Sequence, residues 1–349
     1  MHRLARLVDP YIALLLGTVA LAALLPASDG VATGLGWGTK AAVGLIFFLY
    51  GARLSPGEAV GGLRHWRLQL AVVCCTFAAF PLLGLATHGL VPYVLTPELQ
   101  SGLLFLCLVP STIQSSVAFT SIARGNVSAA ICAGTYSSLL GMLATPLLVA
   151  WLIGGPAALS ADGLLGIVSQ LLGPFLAGQL LRRWIGGFLT RHRRILGVVD
   201  RGSILLVVYS AFSRGVSEGV WGQVTALRLL GVLGVGTLLL ALMMALAWYG
   251  SGRLGFVRAD RVVITFAGSN KSLAAGLPMA SVLFGAQASL AVLPLMLFHQ
   301  LQLIVCAFLA RRWAGRASQV RGTGHGAATS TGTPDSTGTP EGAALARTP

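Results

Sequence analysis

The sequence predicts an all-α polytopic membrane protein: ten transmembrane helices in two inverted five-helix repeats. Three observations lead there. Hydrophobic residues make up 55% of the 349-residue chain and mean hydropathy is +0.80. Charged residues make up 10%, against about 25% in soluble domains. Apolar runs long enough for membrane helices recur along the whole chain, and basic residues sit between them. These runs are too long and continuous for the alternating strands of an outer-membrane barrel.

Ten segments follow from the apolar runs and their breaks. The first, 10–26, has Arg3 and Arg6 before it but no small-residue cleavage site after it, so it reads as a retained helix rather than a signal peptide. The second, 36–52, carries Lys40 near its outer end, where a lysine can snorkel. Then come 68–88, 99–122 and 127–153, closing the first repeat at about 10–153. The longest basic loop, at about 182–201, divides the halves. The second repeat, about 163–310, holds 163–181, 202–219, 229–249, 262–285 and 289–310. Residues 1–313 thus form one ten-helix membrane domain. The Gly/Thr/Ser/Pro-rich remainder, 314–349, cannot bury a core and reads as a disordered cytoplasmic tail.

The net charge of +14 invites a nucleic-acid reading, but its placement argues otherwise. Twenty of the twenty-two arginines fall on one side of this ten-span parse, and only Arg214 and Arg228 fall on the other. That split is the positive-inside signature, placing both termini in the cytoplasm and the chain in a cell (inner) membrane. Five spans per half then put the halves in opposite orientation, as in inverted-repeat transporters. All five cysteines lie in apolar runs with no metal or disulfide spacing, so they read as small buried hydrophobes.

Spans four and nine break the apolar pattern at matching places. In span four Pro110, which has no backbone N–H, is followed by Ser111, Thr112, Gln114, Ser115 and Ser116. In span nine Gly268, Ser269, Asn270, Lys271 and Ser272 interrupt the run, with Pro278 beyond. Matched broken helices point to a transporter's binding site, because their freed backbone groups need a protein-lined or wet cavity. Single serines on a membrane helix serve packing more often than binding. Two matched clusters holding an amide and an ammonium are poorly explained by packing. Lys271 falls near mid-membrane, where a lysine costs roughly 2.5–3.5 kcal/mol. All ten acids lie in loops, at span ends or in the tail, Glu218 coming nearest to an exception, so a buried carboxylate partner is not expected. Span five adds Thr135, Tyr136, Ser137 and Ser138, and span ten adds His299, Gln300 and Gln302.

Three runs carry a family resemblance: VPSTIQSSVAFTSIARGNVSAAICAGTYSSLLGMLATPLL, TFAGSNKSLAAGLPMASVLF and LMLFHQLQLIVCAFLARRW. From about Leu7 to Trp313 the chain resembles the SBF-like branch of the bile acid:sodium symporter superfamily. The resemblance implies a core domain (spans 3–5 and 8–10) moving against a panel domain (spans 1, 2, 6 and 7), with broken spans four and nine crossing at the midplane. It also implies sodium-coupled uptake of an organic anion by alternating access. Carried over residue by residue, it places sodium at Ser115, Ser116, Thr135 and Asn270, with Ser137 and Ser138 close by. Two positions depart from the pattern. The span-three glutamine ligand is Thr76 here, and no acid stands near Phe266 before the second break. Lys271 sits in that break instead, so it is expected either to replace a bound cation or to face an anionic substrate.

The expected function is a secondary active transporter for a small or amphipathic organic anion, with sodium as coupling ion and no other cofactor. The alternative is a sodium-independent or proton-coupled exchanger in which Lys271 replaces a bound cation. Arsenite efflux is a related reading that would need a thiol at the span-four break, where Cys107 precedes Pro110. An intramembrane enzyme is disfavoured by the absence of HExxH, GxSxG and paired aspartates. A receptor or scaffold leaves the matched breaks unexplained. Expected partners are the organic anion, sodium or a proton and the lipid bilayer, with no nucleic acid; a homo-oligomer is compatible with the sequence.

Overall fold

The computed structural model describes residues 10–53, 65–154, 161–217, 219 and 225–326, and no strand occurs among them. The chain runs through α1 (Pro10–Leu24), α2 (Asp29–Arg53) and α3 (Trp66–Leu90). Helices α4 (Pro97–Leu108), α5 (Ile113–Ile122) and α6 (Val127–Leu152) follow. Next come α7 (Ala161–Arg191), α8 (Arg193–Ser217) and α9 (Ala226–Arg253). Last are α10 (Arg258–Ser269), α11 (Leu273–Leu283) and α12 (Ala288–Gly326).

Six of these helices (α2, α3, α6, α8, α9 and α12) are long and apolar enough to cross a membrane, which makes the chain a multi-pass membrane protein. The pair α4–α5, bent by 63°, passes the same test as a unit, giving seven. Helix α1 is apolar but shorter. Length and apolarity alone therefore stop short of ten spans.

Each expected apolar segment coincides with a helix or a broken pair, but several boundaries move. The stretch 182–201 is helical rather than a loop: α7 continues to Arg191 and α8 begins at Arg193, with a turn at His192. Arg, Leu and Ile sustain a helix there, and long arginine stems let the charged heads reach water. Helix α12 likewise continues to Gly326, into the stretch assigned to the tail. Residues 327–349 lie outside the described residues, as do Arg3, Arg6, Arg64 and Glu218.

Local chemistry fixes the helix starts. The side chain of Thr96 caps α4, that of Asn126 caps α6, that of Thr225 caps α9 and that of Ser272 caps α11, each accepting a first-turn N–H. One group of helices forms around α2, which packs on α7 and α8, while α1 packs on α8. Its closest approach is at Gly51 and Gly178, where a Cβ would collide with Phe175 O and Phe48 O respectively. The same group is tied at its basic end by Arg53, which donates to Asp200 at 2.8 Å and to Leu196 O at 3.0 Å. The remaining helices pack around the two broken pairs, with α4 against α12, α10 against α9 and α3, and α5 against α6.

Candidate functional site

The two helix breaks lie side by side and are bonded to each other. Residues 109–112 separate α4 from α5, and 270–272 separate α10 from α11. Ser272 N donates to Pro110 O at 2.9 Å. Ser111 Oγ donates to Ala267 O at 2.6 Å, and Asn270 Nδ2 donates to Ser116 Oγ at 3.4 Å. Freed backbone groups are thus satisfied by the opposite break, as a dry interior requires. Helices α6 and α12 supply the rest. Ser137 Oγ accepts from Ser111 N at 2.8 Å, and Thr145 Oγ1 donates to Leu108 O at 2.7 Å. Gly141 makes the approach of α6 possible, since a Cβ there would fall 2.6 Å from Pro110 Cβ.

Gln302 closes the second break. Its Oε1 accepts from Lys271 N at 2.8 Å, its Nε2 donates to Lys271 O at 2.9 Å, and the same nitrogen lies 2.8 Å from His299 Nδ1. One amide therefore satisfies both backbone groups of Lys271. Cys306 Sγ donates to Asn270 Oδ1 at 3.2 Å.

The Lys271 side chain is fully buried. Its Nζ donates to Thr76 O at 3.1 Å, Cys107 O at 2.7 Å and Val109 O at 2.9 Å. It also lies 4.3 Å from the centre of the Phe80 ring, a cation–π distance. Sequence explains why these carbonyls are free. Around Cys75–Ala79 the helix widens to a π-turn, so Phe80 N donates to Cys75 O. The next N–H in that register would serve Thr76 O, but it belongs to Pro81, which has none. Cys107 O loses its helical donor because Ser111 N turns to Ser137 instead, and Val109 lies within the break itself. An ammonium has three N–H donors, and all three are used here. None is left for an anionic substrate.

The expected site residues separate into those at the crossing and those away from it. Ser111, Ser116, Ser269, Asn270, Lys271 and Ser272 are buried at the crossing. Thr135 is buried on α6, while Ser138 there and Thr112 at the first break are half-buried. Gln114 is exposed, and His299 and Gln300 are half-buried on α12. Ser115 Oγ is buried with no hydrogen-bond partner among the described residues, so it is free to ligate. The Cys107 thiol packs against Gly84. Pro81 and Phe80 are not among the expected site residues, and Ser137 is expected only beside the sodium ligands rather than as an acceptor for Ser111 N. Gln302 stood out only as a polar residue in an apolar run. Lone prolines and aromatics give no such signal, because their partners are set by packing.

A separate cavity of about 420 Å³ opens between the start of α4 and the ends of α6 and α11, lined in part by Glu98, Ser101, Phe284 and Gln287. It lies toward the helix ends opposite those that carry the arginines.

The profile of the SBF-like CPA transporter family matches residues 9–315, almost the whole helical part. The chain belongs to the SBF-like CPA transporter family. "Uncharacterized protein PA2026" of Pseudomonas aeruginosa is 51% identical over 319 residues, 90% of this chain and 96% of its own. "Putative symporter YfeH" of Escherichia coli is 43% identical over 323 residues, 91% and 97% of the two chains. "Sodium/bile acid cotransporter 7" of Mus musculus is 28% identical over 273 residues, 77% and 80% of the two. This SBF-like transporter is therefore placed in the bile acid:sodium symporter superfamily, as the sequence runs implied.

Proposed function

We propose that this protein is a secondary active transporter that carries a small or amphipathic organic anion by alternating access in a cell (inner) membrane. Ten spans in two inverted five-helix repeats, with both termini cytoplasmic, would provide the frame. The observation that carries the reading is the pair of broken helices bonded across their breaks, from Ser272 N to Pro110 O and from Ser111 Oγ to Ala267 O. Such breaks survive in a membrane only where protein or a polar cavity satisfies them, and they are where inverted-repeat carriers bind their cargo.

The helix contacts lend support to the repeat. Exchanging the halves turns α1 on α8 into α7 on α2, α3 on α6 into α9 on α12, and α4 on α12 into α10 on α6, and both members of each pair are in contact. The group α1, α2, α7 and α8 would be the panel and the rest the core. Sodium as coupling ion would use Ser115, Ser116, Thr135 and Asn270, all oxygen-bearing, as a hard cation requires. One observation favours the alternative of a sodium-independent or proton-coupled exchanger: the crossing already contains an ammonium, which repels a nearby cation.

The test is uptake of labelled organic anions into vesicles holding the purified protein, with sodium, proton or no gradient imposed. Uptake driven by an inward sodium gradient, and lost with Asn270→Ala, supports the symporter. Uptake that needs only internal anion supports the exchanger. No flux of any anion under any gradient overturns the transport reading.

A further inference from the structure

We propose that Lys271 is a tethered cation: its ammonium permanently fills a three-carbonyl seat formed by Thr76, Cys107 and Val109, so no ion from solution enters that seat during transport. The proposal rests on the carrier reading only for its consequence in transport. The seat itself follows from the geometry.

Three backbone carbonyls converge on one point at 2.7–3.1 Å, with the Phe80 ring closing a further side at 4.3 Å. Carbonyl oxygens and an aromatic face are what a monovalent cation binds when it sheds water. Cys107 belongs to the last turn of α4, where unpaired carbonyls and the negative end of the helix dipole add to the attraction. The carbonyls come from two elements, α3 and the α4 break, while the cation comes from the α10–α11 break. The ammonium therefore ties α3 to the two breaks, adding to the bonds that already join the breaks to each other. Its seat contains no carboxylate; the charge is met by dipoles. A neutral side chain of the same length would leave three carbonyls unsatisfied in a water-free interior.

Both sides of the seat lie in the group of helices around the broken pairs. A cation held there moves with that group and meets neither face of the membrane. The three carbonyls of the seat are different atoms from the oxygens of Ser115, Ser116, Thr135 and Asn270.

Removing the tether tests the idea. Lys271→Ala keeps Cβ and deletes a fragment equivalent to n-propylammonium. Thermal unfolding of the detergent-solubilised protein is followed in n-propylammonium chloride, sodium chloride and choline chloride at equal ionic strength, with n-propanol as the neutral control. Wild type is expected to show the same midpoint in propylammonium as in choline. K271A is expected to unfold earlier in choline and to regain at least half of the lost midpoint in propylammonium or sodium, but not in n-propanol. Lys271→Met, close in length but neutral, should not restore it. Rescue by propanol, equal midpoints for K271M and wild type, or a K271A midpoint indifferent to every cation would each overturn the proposal.

A measurement that leaves Lys271 in place keeps the proposal testable if the Lys271 variants do not fold. The chain has two lysines, Lys40 and Lys271. With 15N at lysine Nζ, NMR should show one slowly exchanging ammonium that persists in Lys40→Arg and is unchanged by saturating sodium. Fast exchange of that signal, or its displacement by sodium, would overturn the tethered cation. Neither experiment involves flux, so its failure is distinct from a failure to transport.

Discussion

Ser115 and Lys271 differ in what they can still bind. Lys271 has used every donor, whereas Ser115 Oγ is buried with no partner. A buried hydroxyl without a partner costs about 1–3 kcal/mol unless something satisfies it. If sodium does so with a millimolar dissociation constant, ten-fold filling should stabilise the protein by about 1.4 kcal/mol. The expected outcome is a rise in unfolding midpoint with sodium at constant ionic strength, removed by Ser115→Ala and by Asn270→Ala. A sodium response that survives both substitutions would place the ion elsewhere. The Arg53–Asp200 pair at the basic end of α2, by contrast, is partly exposed and is worth only about 0.2–1 kcal/mol.

At the scale of the helix, prolines decide which carbonyls are available. Pro110 ends α4, and Pro81 removes the N–H that would serve Thr76 O in the π-turn register. Pro81→Ala should supply that N–H and draw Thr76 O back into α3. The expected result is a Lys271 ammonium with one contact fewer, exchanging its protons faster by NMR, with the fold retained. Unchanged exchange would mean that the π-turn frees Thr76 O without the proline. This element also marks the limit of what the sequence disclosed. Both breaks were legible, because Pro110 and the Ser-Asn-Lys-Ser run interrupt apolar stretches of membrane length. Lys271 was legible as a lone cation with no acid at its depth. Its partners were not, because backbone carbonyls leave no trace in residue identity and the π-turn has no sequence signature. The helical path through 182–201 was misread for a related reason. A string of arginines marks the membrane surface, but it does not stop a helix.

Across the whole molecule, the arginine distribution and the helix contacts bear on the same frame from different directions. The basic ends of α2 and α8 meet at Arg53 and Asp200. Those of α10 and α12 meet where Arg258 donates to Trp313 O at 2.9 Å. Arg261 lies 4.1 Å from the Trp248 ring centre on α9. Arginine-bearing helix ends thus meet other helices in both the α2–α8 group and the group around the breaks. Epitope tags at the two termini should both be accessible from the cytoplasm and protected in intact cells. One tag exposed on each side would require an odd number of spans and end the five-plus-five reading.

The three-carbonyl seat has an energetic consequence for the carrier. A group on a short tether faces its site at an effective concentration on the order of millimolar or more. The seat is therefore filled without drawing an ion from either solution, in dilute surroundings as well. A site that never empties also extracts no work from an ion gradient. The drive for accumulation has to enter through a site that opens, or through the counter-flow of a second solute.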